Sequence, residues 1–345
     1  MGYFRRVDYI YLMILVTGGT GLVGMHLLLE LTQGNTSVRA TFRSSQKVEE
    51  VAAFFAFAKA EKEFQKIDWI QADITDVPSL EKAFTGITYV YHCAALISFD
   101  PYDFQKLLKV NVEGTANVVN LCLAHQVKKI CYVSSVAALS KLPSNPVTEE
   151  NIWDPNEANS VYGISKYGAE MEVWRGTQEG LDAIIFNPVI ILGEGDYTKG
   201  SGSLCSYALK EKKYYPKGGS GFIDVKDVVH LMIKGMQSTI TQERYVLVGE
   251  NTSFKDILDR MATQFSKKPP RKPLSNSLLK ILIAADHLWG LCIRKRRITR
   301  ISAASMQGVK AYSAEKAKQD LSYSPTPINE TIERIGKHMD YIESI

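Results

Sequence analysis

Residues 13–24 are Met13-Ile-Leu-Val-Thr17-Gly-Gly-Thr-Gly-Leu-Val-Gly24, an apolar run that leads directly into a glycine-rich turn. The apolar run predicts a buried parallel strand, and residues 25–31 after the turn have a helical pattern. A strand, a glycine turn and a helix in this order favour a nucleotide-binding loop over a turn that merely reverses the chain.

Gly18, Gly21 and Gly24 each have a predicted role in the turn. Gly18 permits the tight turn, Gly21 lets a pyrophosphate approach the backbone, and Gly24 allows close packing of helix and strand. The helix N-terminus then offers unpaired N–H groups and a positive dipole end to the pyrophosphate. The predicted cofactor contacts in this loop are Thr17, Gly18, Gly21, Leu22, Val23 and Gly24.

The next predicted strand, Ser37–Arg43, indicates which dinucleotide is bound. A fold that binds NAD usually places an Asp or Glu here for the ribose 2′-hydroxyl, whereas this chain has Arg39 and Arg43 and no carboxylate until Glu49. A guanidinium suits the 2′-phosphate of NADP because it donates two parallel hydrogen bonds. We therefore predict NADP, with NAD as the alternative if both arginines are solvated charges.

Strands and helices continue to alternate along the chain. Further strands are predicted at Ile67–Asp73, Thr88–Ala95, Lys128–Ser135 and Leu181–Phe186. Helices are predicted at about 77–85, 103–125 and 159–179. This alternation predicts an α/β fold with a doubly wound parallel sheet, a Rossmann fold, whose ligand lies at the carboxyl ends of the strands. At those ends Asp73 is placed to meet the adenine, and the small Ala94 and Ala95 let a cofactor lie close.

The domain organisation follows from the same pattern. Residues 13–187 are predicted to form the NADP-binding Rossmann domain. Residues 188–345 are predicted to form a smaller C-terminal substrate-binding lobe, with residues 223–249 returning to the Rossmann sheet. Turn-rich loops in this lobe are expected to supply substrate specificity.

Tyr162 and Lys166 lie four residues apart on a predicted helix and therefore share one face. A tyrosine with a pKa of about 10 is a poor base at neutral pH, and a nearby ammonium group favours the phenolate. Ser135, at the end of a predicted strand, is placed to donate a hydrogen bond to the oxygen of a substrate. The three residues predict acid–base catalysis beside a nicotinamide cofactor.

The chain resembles the extended short-chain dehydrogenase/reductase superfamily, also called the NAD-dependent epimerase/dehydratase family. The resemblance covers nearly the whole chain and rests on a set of motifs: Thr17–Gly24, Asp73, His92–Ala95, Asn111–Thr115, Val133–Ser135, Tyr162–Lys166 and Asn187–Pro188. It implies that Ser135, Tyr162 and Lys166 form a catalytic triad and that Asn111 helps to orient Lys166. It also implies that Ile74, Asn187, Pro188 and Lys166 contact the cofactor.

Three departures from the family pattern narrow the reaction. Val136 and Ala137 provide no acid where sugar 4,6-dehydratases carry one. Residues 218–224 contain no arginine, although members that bind nucleotide sugars usually have one there to pair the diphosphate. Asn187 stands where many members carry an arginine before Pro188.

The remaining features resemble the dihydroflavonol reductases and 3β-hydroxysteroid dehydrogenases. This resemblance implies an NADP(H)-dependent oxidoreductase that interconverts a carbonyl and an alcohol on a moderately apolar small molecule. Two alternatives stay open: an epimerase that oxidises its substrate transiently, and a non-catalytic NADP sensor on the same fold.

Composition gives weaker indications. The chain has 345 residues, 45% of them hydrophobic, and its net charge of +4, taken as spread along the chain, gives no indication of nucleic-acid binding.

The five cysteines lack paired metal spacing and are interpreted as reduced thiols of a cytoplasmic protein, with no metal site. The apolar run that follows Arg5-Arg6 is the first strand of the fold, so we expect no cleaved signal peptide. Residues 1–12 are interpreted as an extension or a misassigned start. A homodimer is left open.

One further apolar stretch, residues 278–293, is too short and too interrupted by charges to span a bilayer. We expect a helix that covers the substrate pocket or makes a subunit contact. The alternative is an interfacial helix within residues 278–297, whose basic tail, residues 294–297, meets anionic lipid.

Overall fold

The computed structural model describes residues 13–34, 36–139, 146–296 and 298–344, without the side chains of residues 291 and 292. The interpretation of residues 1–12 as an extension therefore lies outside the described residues. The strands are β1 Met13–Thr17, β2 Ser37–Phe42, β3 Ile67–Gln71, β4 Tyr89–His92, β5 Lys129–Val133, β6 Asp182–Pro188, β7 Ile190–Leu192, β8 Tyr214–Tyr215, β9 Gly219–Asp224, β10 Glu243–Leu247, β11 Glu250–Ser253 and β12 Lys272–Pro273.

Helices follow most of these strands. They are α1 Leu22–Thr32, α2 Ser45–Phe57, α3 Glu61–Phe64, α4 Val77–Phe84, α5 Phe104–Leu107, α6 Gly114–Ala124, α7 Val161–Gln178, α8 Ser203–Leu209, α9 Val225–Gln237, α10 Phe254–Gln264, α11 Asn276–Ile293, α12 Arg300–Gln307, α13 Glu315–Leu321 and α14 Ile328–Ser344. A π-helical segment, Leu108–Glu113, joins α5 to α6, so the single helix predicted at about 103–125 carries a local irregularity. Such segments are frequent at functional sites.

Seven strands form one parallel sheet in the order β3-β2-β1-β4-β5-β6-β10. The predicted doubly wound α/β fold is confirmed. The chain runs outward from β1 to β3 and then crosses back to β4, so the order reverses between β1 and β4. A crevice opens at the carboxyl ends of the strands at this point.

Both faces of the sheet are covered because its strands are apolar on both sides. Val16 of β1 and Phe186 of β6 pack with residues of α1, α2 and α9 on one face. Leu15 and Ile130 pack with residues of α4, α6 and α7 on the other. Each such fully buried side chain contributes about 1.5–3 kcal/mol through burial.

The remaining elements form a smaller layer beside the sheet. Strands β7, β9 and β11 make a three-stranded sheet, and β8 pairs with β12. Residues of α8, α10 and α14 pack against these strands in a separate apolar cluster. Strand β10 lies in the main sheet, paired with β6.

Candidate active site

The glycine turn after β1 has the geometry of a phosphate-binding loop. Gly18 has a φ of +70°, and a Cβ there would lie 2.6 Å from the backbone nitrogen of Ala94. A Cβ on Gly24 would lie 2.2 Å from the carbonyl oxygen of Gly18. Around Gly21, in contrast, the nearest atom would lie 3.4 Å away, and no side chain caps the helix α1 that begins there. Gly18 and Gly24 therefore close the turn, and the N–H groups of Leu22 and its successors are available to a pyrophosphate.

Thr17 supports this loop through its side chain. Its Oγ1 lies 2.7 Å from Nδ1 of His92, and Nε2 of His92 lies 2.9 Å from Oγ1 of Thr115. All three side chains are buried, and burial lowers the pKa of His92 to about 3. His92 is therefore a neutral structural residue that ties β1 and β4 to α6, and it places Ala94 beside Gly18.

Arg43 and Arg39 occupy different environments. Arg43 follows β2 with a largely exposed side chain whose Nη1 is 3.8 Å from Oδ2 of Asp73. Arg39 donates hydrogen bonds to Asp68 and to the carbonyl oxygens of residues 83 and 85. These partners hold Arg39 away from the carboxyl end of β2, so only Arg43 remains as a candidate for the 2′-phosphate.

Asp73 and Ile74 lie at the carboxyl end of β3. Oδ1 of Asp73 accepts hydrogen bonds from the N–H and the hydroxyl of Thr75, which order the turn. The buried Ile74 packs so closely against α6 that a Cβ on Gly114 would lie 2.6 Å from its Cδ1. Both residues lie on the same edge of the sheet as Ala94 and the exposed Ala95.

The predicted triad residues come from β5 and α7. Ser135 follows β5, and its Oγ accepts the N–H of Ala137. Tyr162 lies in the first turn of α7, and its buried phenol is close to the hydroxyl of Ser135. Burial raises the pKa of Tyr162 to about 12, and the nearby Ser135 hydroxyl opposes the rise. Tyr162 is therefore a protonated phenol at neutral pH, which suits a proton donor.

Lys166 lies one turn further along α7 and is 1% exposed. Its Nζ donates to Oη of Tyr132 at 2.7 Å and to the carbonyl oxygen of Val133 at 2.9 Å. Burial lowers its pKa to about 7, and the charge of Glu170 opposes this. In this arrangement Lys166 donates its hydrogen bonds to β5, and the pKa of Tyr162 is raised.

Asn111 lies in the π-helical segment and is buried. Its side chain accepts the N–H of Leu96, donates to the carbonyl oxygen of Leu96, and donates to Oγ of Ser165 at 2.9 Å. Asn111 thus joins the loop after β4 to the residue beside Lys166 in α7. Its hydrogen bonds reach Ser165, the neighbour of Lys166, and not Lys166 itself.

Asn187 and Pro188 end β6, and both are buried. Nδ2 of Asn187 donates to the carbonyl oxygen of Ser135 at 3.1 Å and to Glu170 at 2.8 Å. The other amide atom, Oδ1, is buried with no hydrogen-bond partner. Asn187 therefore holds the backbone beneath Ser135.

Glu170 is a site residue that the sequence analysis missed. It is buried, accepts the hydroxyl of Ser134 at 2.6 Å and the amide of Asn187, and pairs with Nη1 of Arg244 at 3.3 Å. Arg244 in β10 also donates to the carbonyl oxygens of residues 149 and 151. Glu170 lies four residues after Lys166, as Lys166 does after Tyr162, so the same helical spacing could have identified it.

Apolar side chains lie beside Tyr162 at the surface. The ring of Phe99 contacts that of Tyr162 edge-on at 5.4 Å between centroids. Phe99 and Ile97 are 50% and 55% exposed, so this loop presents apolar surface next to the phenol. A separate cavity of about 590 Å³, lined by His26, Glu194 and other residues, contains none of the predicted site residues.

The family model whose description is "NAD dependent epimerase/dehydratase family" matches residues 14–249 of this chain. The chain belongs to that family. The predicted resemblance is thereby confirmed, and the protein is an NAD(P)-dependent enzyme of the extended short-chain dehydrogenase/reductase type with a nicotinamide cofactor.

Relatives in the family cover most of the chain. A putative dihydroflavonol 4-reductase of Synechocystis sp. is 28% identical over 92% of this chain and 91% of its own length. Sterol demethylase protein B of Methylococcus capsulatus is 26% identical over 90% and 93% of the two chains. Among solved structures, the chain is similar to UDP-glucuronic acid 4-epimerase from Bacillus cereus in complex with NAD, with a TM-score of 0.73 at 18% identity. The match covers 96% of this chain and 99% of that one, and it shows that the two proteins share a fold.

Three of the four cysteines with described side chains are buried, namely Cys122, Cys131 and Cys205, and Cys93 is half-buried. All four are free thiols, and burial raises the pKa of Cys93 to about 12. The side chain of Cys292 lies outside the described residues. None of the helices in the described part of the chain has both the length and the hydrophobicity needed to cross a bilayer.

Proposed function

We propose that the protein is an NADPH-dependent reductase that converts a carbonyl group of a moderately apolar small molecule into an alcohol. The observation that carries the proposal is that Ser135, Tyr162 and Lys166 meet near the carboxyl end of β5, on the same edge of the sheet as the glycine turn. At neutral pH the phenol of Tyr162 is protonated, so it can supply the proton that a carbonyl oxygen takes up on reduction.

We assign the residues of this chain the following roles in the reaction. Oγ of Ser135 donates a hydrogen bond to the carbonyl oxygen of the substrate, which polarises the bond. Oη of Tyr162 then gives its proton to the same oxygen. When bound, the nicotinamide supplies the hydride to the carbonyl carbon. Lys166 holds the nicotinamide ribose and, when protonated, stabilises the phenolate that Tyr162 becomes.

The preference for NADPH rests on Arg43. Its side chain is 66% exposed at the end of β2, and no side chain caps α2, which begins at Ser45. A guanidinium beside free helical N–H groups suits a doubly charged phosphate. Asp73 is 3.8 Å from Arg43 and keeps it oriented without a close hydrogen bond.

The apolar character of the substrate rests on Phe99, whose ring contacts Tyr162, and on Ile97 of the same loop, both of which are exposed. Two of the relatives in the comparisons also have names that refer to flavonoid and sterol compounds. No arginine in residues 218–224 is available to pair a nucleotide diphosphate. These features favour a reductase of apolar carbonyl compounds over an epimerase of nucleotide sugars.

The test is NADPH consumption, followed by absorbance, with pooled aldehydes, ketones, flavonoids and steroids. Tyr162→Phe should abolish consumption while it retains NADPH binding. Tyr167→Phe is the matched control, because Tyr167 lies in the same helix and stacks on Trp153 instead. Consumption that persists in Tyr162→Phe would refute the proposed role, and NADPH binding without any consumption would favour an epimerase or a sensor.

A further inference from the structure

Helix α11 exposes a continuous apolar face. Five of its large apolar side chains are 37–67% exposed: Ile281, Leu282, Leu288, Trp289 and Ile293. Their spacings of four and seven residues place them on one side of the helix. The opposite side, with Leu279 and Ile283, lies against Ala303 and Ala304 of α12.

The outer face of α11 is therefore not covered by any other described part of this chain. A contiguous exposed apolar face on a protein of otherwise ordinary composition marks an interaction surface. We define this face, from Ile281 to Ile293, as the α11 face.

Positive charge is concentrated around the α11 face. Residues 265–312 contain eleven Lys and Arg residues and a single acid, Asp286, which gives this segment ten net positive charges. Because the whole chain has a net charge of only +4, all other residues together carry −6. The interpretation of the charge as evenly spread is thus corrected.

The basic residues lie beyond both ends of α11. At its C-terminal end Arg294, Lys295 and Arg300 are exposed, and Arg296 pairs with Asp286. Before its N-terminal end the pairing of β8 with β12 brings two lysine-rich segments together, because the carbonyl oxygen of Lys213 accepts the N–H groups of residues 271 and 272. The exposed basic residues there are Lys212, Lys213, Lys267, Lys268, Arg271 and Lys272.

From this arrangement we infer that the α11 face docks on a membrane surface that contains anionic lipid. An apolar face flanked by lysine and arginine inserts among acyl chains while its basic flanks meet the headgroups. Trp289, which is 67% exposed, is a residue type favoured at that interface. A second copy of this chain fits less well, since a symmetric contact through the α11 face would bring two like-charged clusters together.

The segment that follows α11 contacts the chain next to the loop beside Tyr162. The N–H of Arg296 donates to Oδ2 of Asp100 at 2.9 Å. Asp100 directly follows Phe99, whose ring contacts Tyr162. Docking would therefore hold this loop near the lipid, where apolar molecules are concentrated. This last step rests on the proposed function, whereas docking itself does not.

The experiment is flotation of the full chain with vesicles of phosphatidylcholine alone and of phosphatidylcholine with phosphatidylglycerol. We expect binding to the anionic vesicles, release by salt, and a blue shift of Trp289 fluorescence, checked against Trp289→Phe. Leu288→Glu with Trp289→Glu should lower vesicle affinity by about tenfold or more, and Lys295→Gln roughly fivefold.

Ile152→Glu is the matched control, because Ile152 is 72% exposed and lies outside α11, and it should bind as the wild type does. Unchanged melting temperature and NADPH binding would show that the variants fold, and these readouts do not depend on substrate turnover. The inference is overturned if the wild type does not bind anionic vesicles or if the double variant binds equally well. It is also overturned if light scattering finds a wild-type dimer that the double variant converts to a monomer.

Discussion

The glycine turn allows a sharp prediction, because Gly24 and Gly21 differ in the space around them. A Cβ on Gly24 would lie 2.2 Å from the carbonyl oxygen of Gly18 and 2.9 Å from the Cα of Gly19. Both obstacles are backbone, so Gly24→Ala forces the turn and the helix apart by about 1 Å to reach ordinary contact. Overpacking of this kind costs typically about 1–3 kcal/mol, and a rigid obstacle places Gly24→Ala near the upper value.

Gly21→Ala should behave differently. Gly21 has φ −89° and ψ 169°, which alanine adopts readily, and its added Cβ would meet nothing nearer than 3.4 Å. The free energy of unfolding without cofactor should therefore change by less than about 0.5 kcal/mol. The methyl group would, however, stand where the pyrophosphate approaches, so NADPH affinity should fall by about tenfold or more.

Thermal unfolding without cofactor and calorimetric titration with NADPH separate the two effects. Gly24→Ala should lower the melting temperature by roughly 4 °C and also weaken NADPH binding. Gly21→Ala should weaken binding alone. A Gly24→Ala protein with the melting temperature of the wild type, or a Gly21→Ala protein with full NADPH affinity, would refute this account of the loop.

Three further substitutions test other parts of the site. Arg43→Ala should weaken NADPH binding roughly 10- to 100-fold and should weaken NADH binding little. An equal loss of affinity for both cofactors in calorimetry would contradict recognition of the 2′-phosphate by Arg43. The pKa of Lys166 is about 7 in the folded protein and about 10.5 in the unfolded chain, so the folded state binds fewer protons between these values. The contribution of Lys166 to the free energy of unfolding therefore rises with pH between about 7 and 10.5. Lys166→Met should flatten that rise in urea unfolding of the cofactor-free protein, and an unchanged slope would argue against the lowered pKa. Glu170→Gln leaves Arg244 without its carboxylate partner and should lower the free energy of unfolding by on the order of 3 kcal/mol. A variant as stable as the wild type in the same assay would show that this ion pair does not stabilise the fold.

The sequence predicted the fold well because the relevant signals are local. The apolar run of β1, the glycines that follow it and the alternation of strands and helices each depend on neighbours along the chain. The shared helical face of Tyr162 and Lys166 is local in the same sense.

Long-range pairing explains what the sequence analysis missed. The register of β2 and β3 brings Asp68 opposite Arg39, which removes this arginine from the cofactor prediction. Similarly, Lys166 donates a hydrogen bond to Tyr132, which lies 34 residues earlier in the chain. Glu170 contacts Ser134, Asn187 and Arg244, which come from three different segments of the chain. The apolar pattern of α11 predicted a helix face, but it held no information on whether other parts of the protein cover that face.

In the proposed reaction, a hydride moves from NADPH to a substrate carbonyl beside Tyr162. Mass spectrometry of the pooled carbonyl compounds, after incubation with NADPH that carries deuterium at the transferable position, tests this transfer. We expect an alcohol product with one deuterium on its carbinol carbon when the wild type is used, and no such product with Tyr162→Phe. NADPH consumption without deuterium in any alcohol, or equal labelling by both proteins, would contradict it.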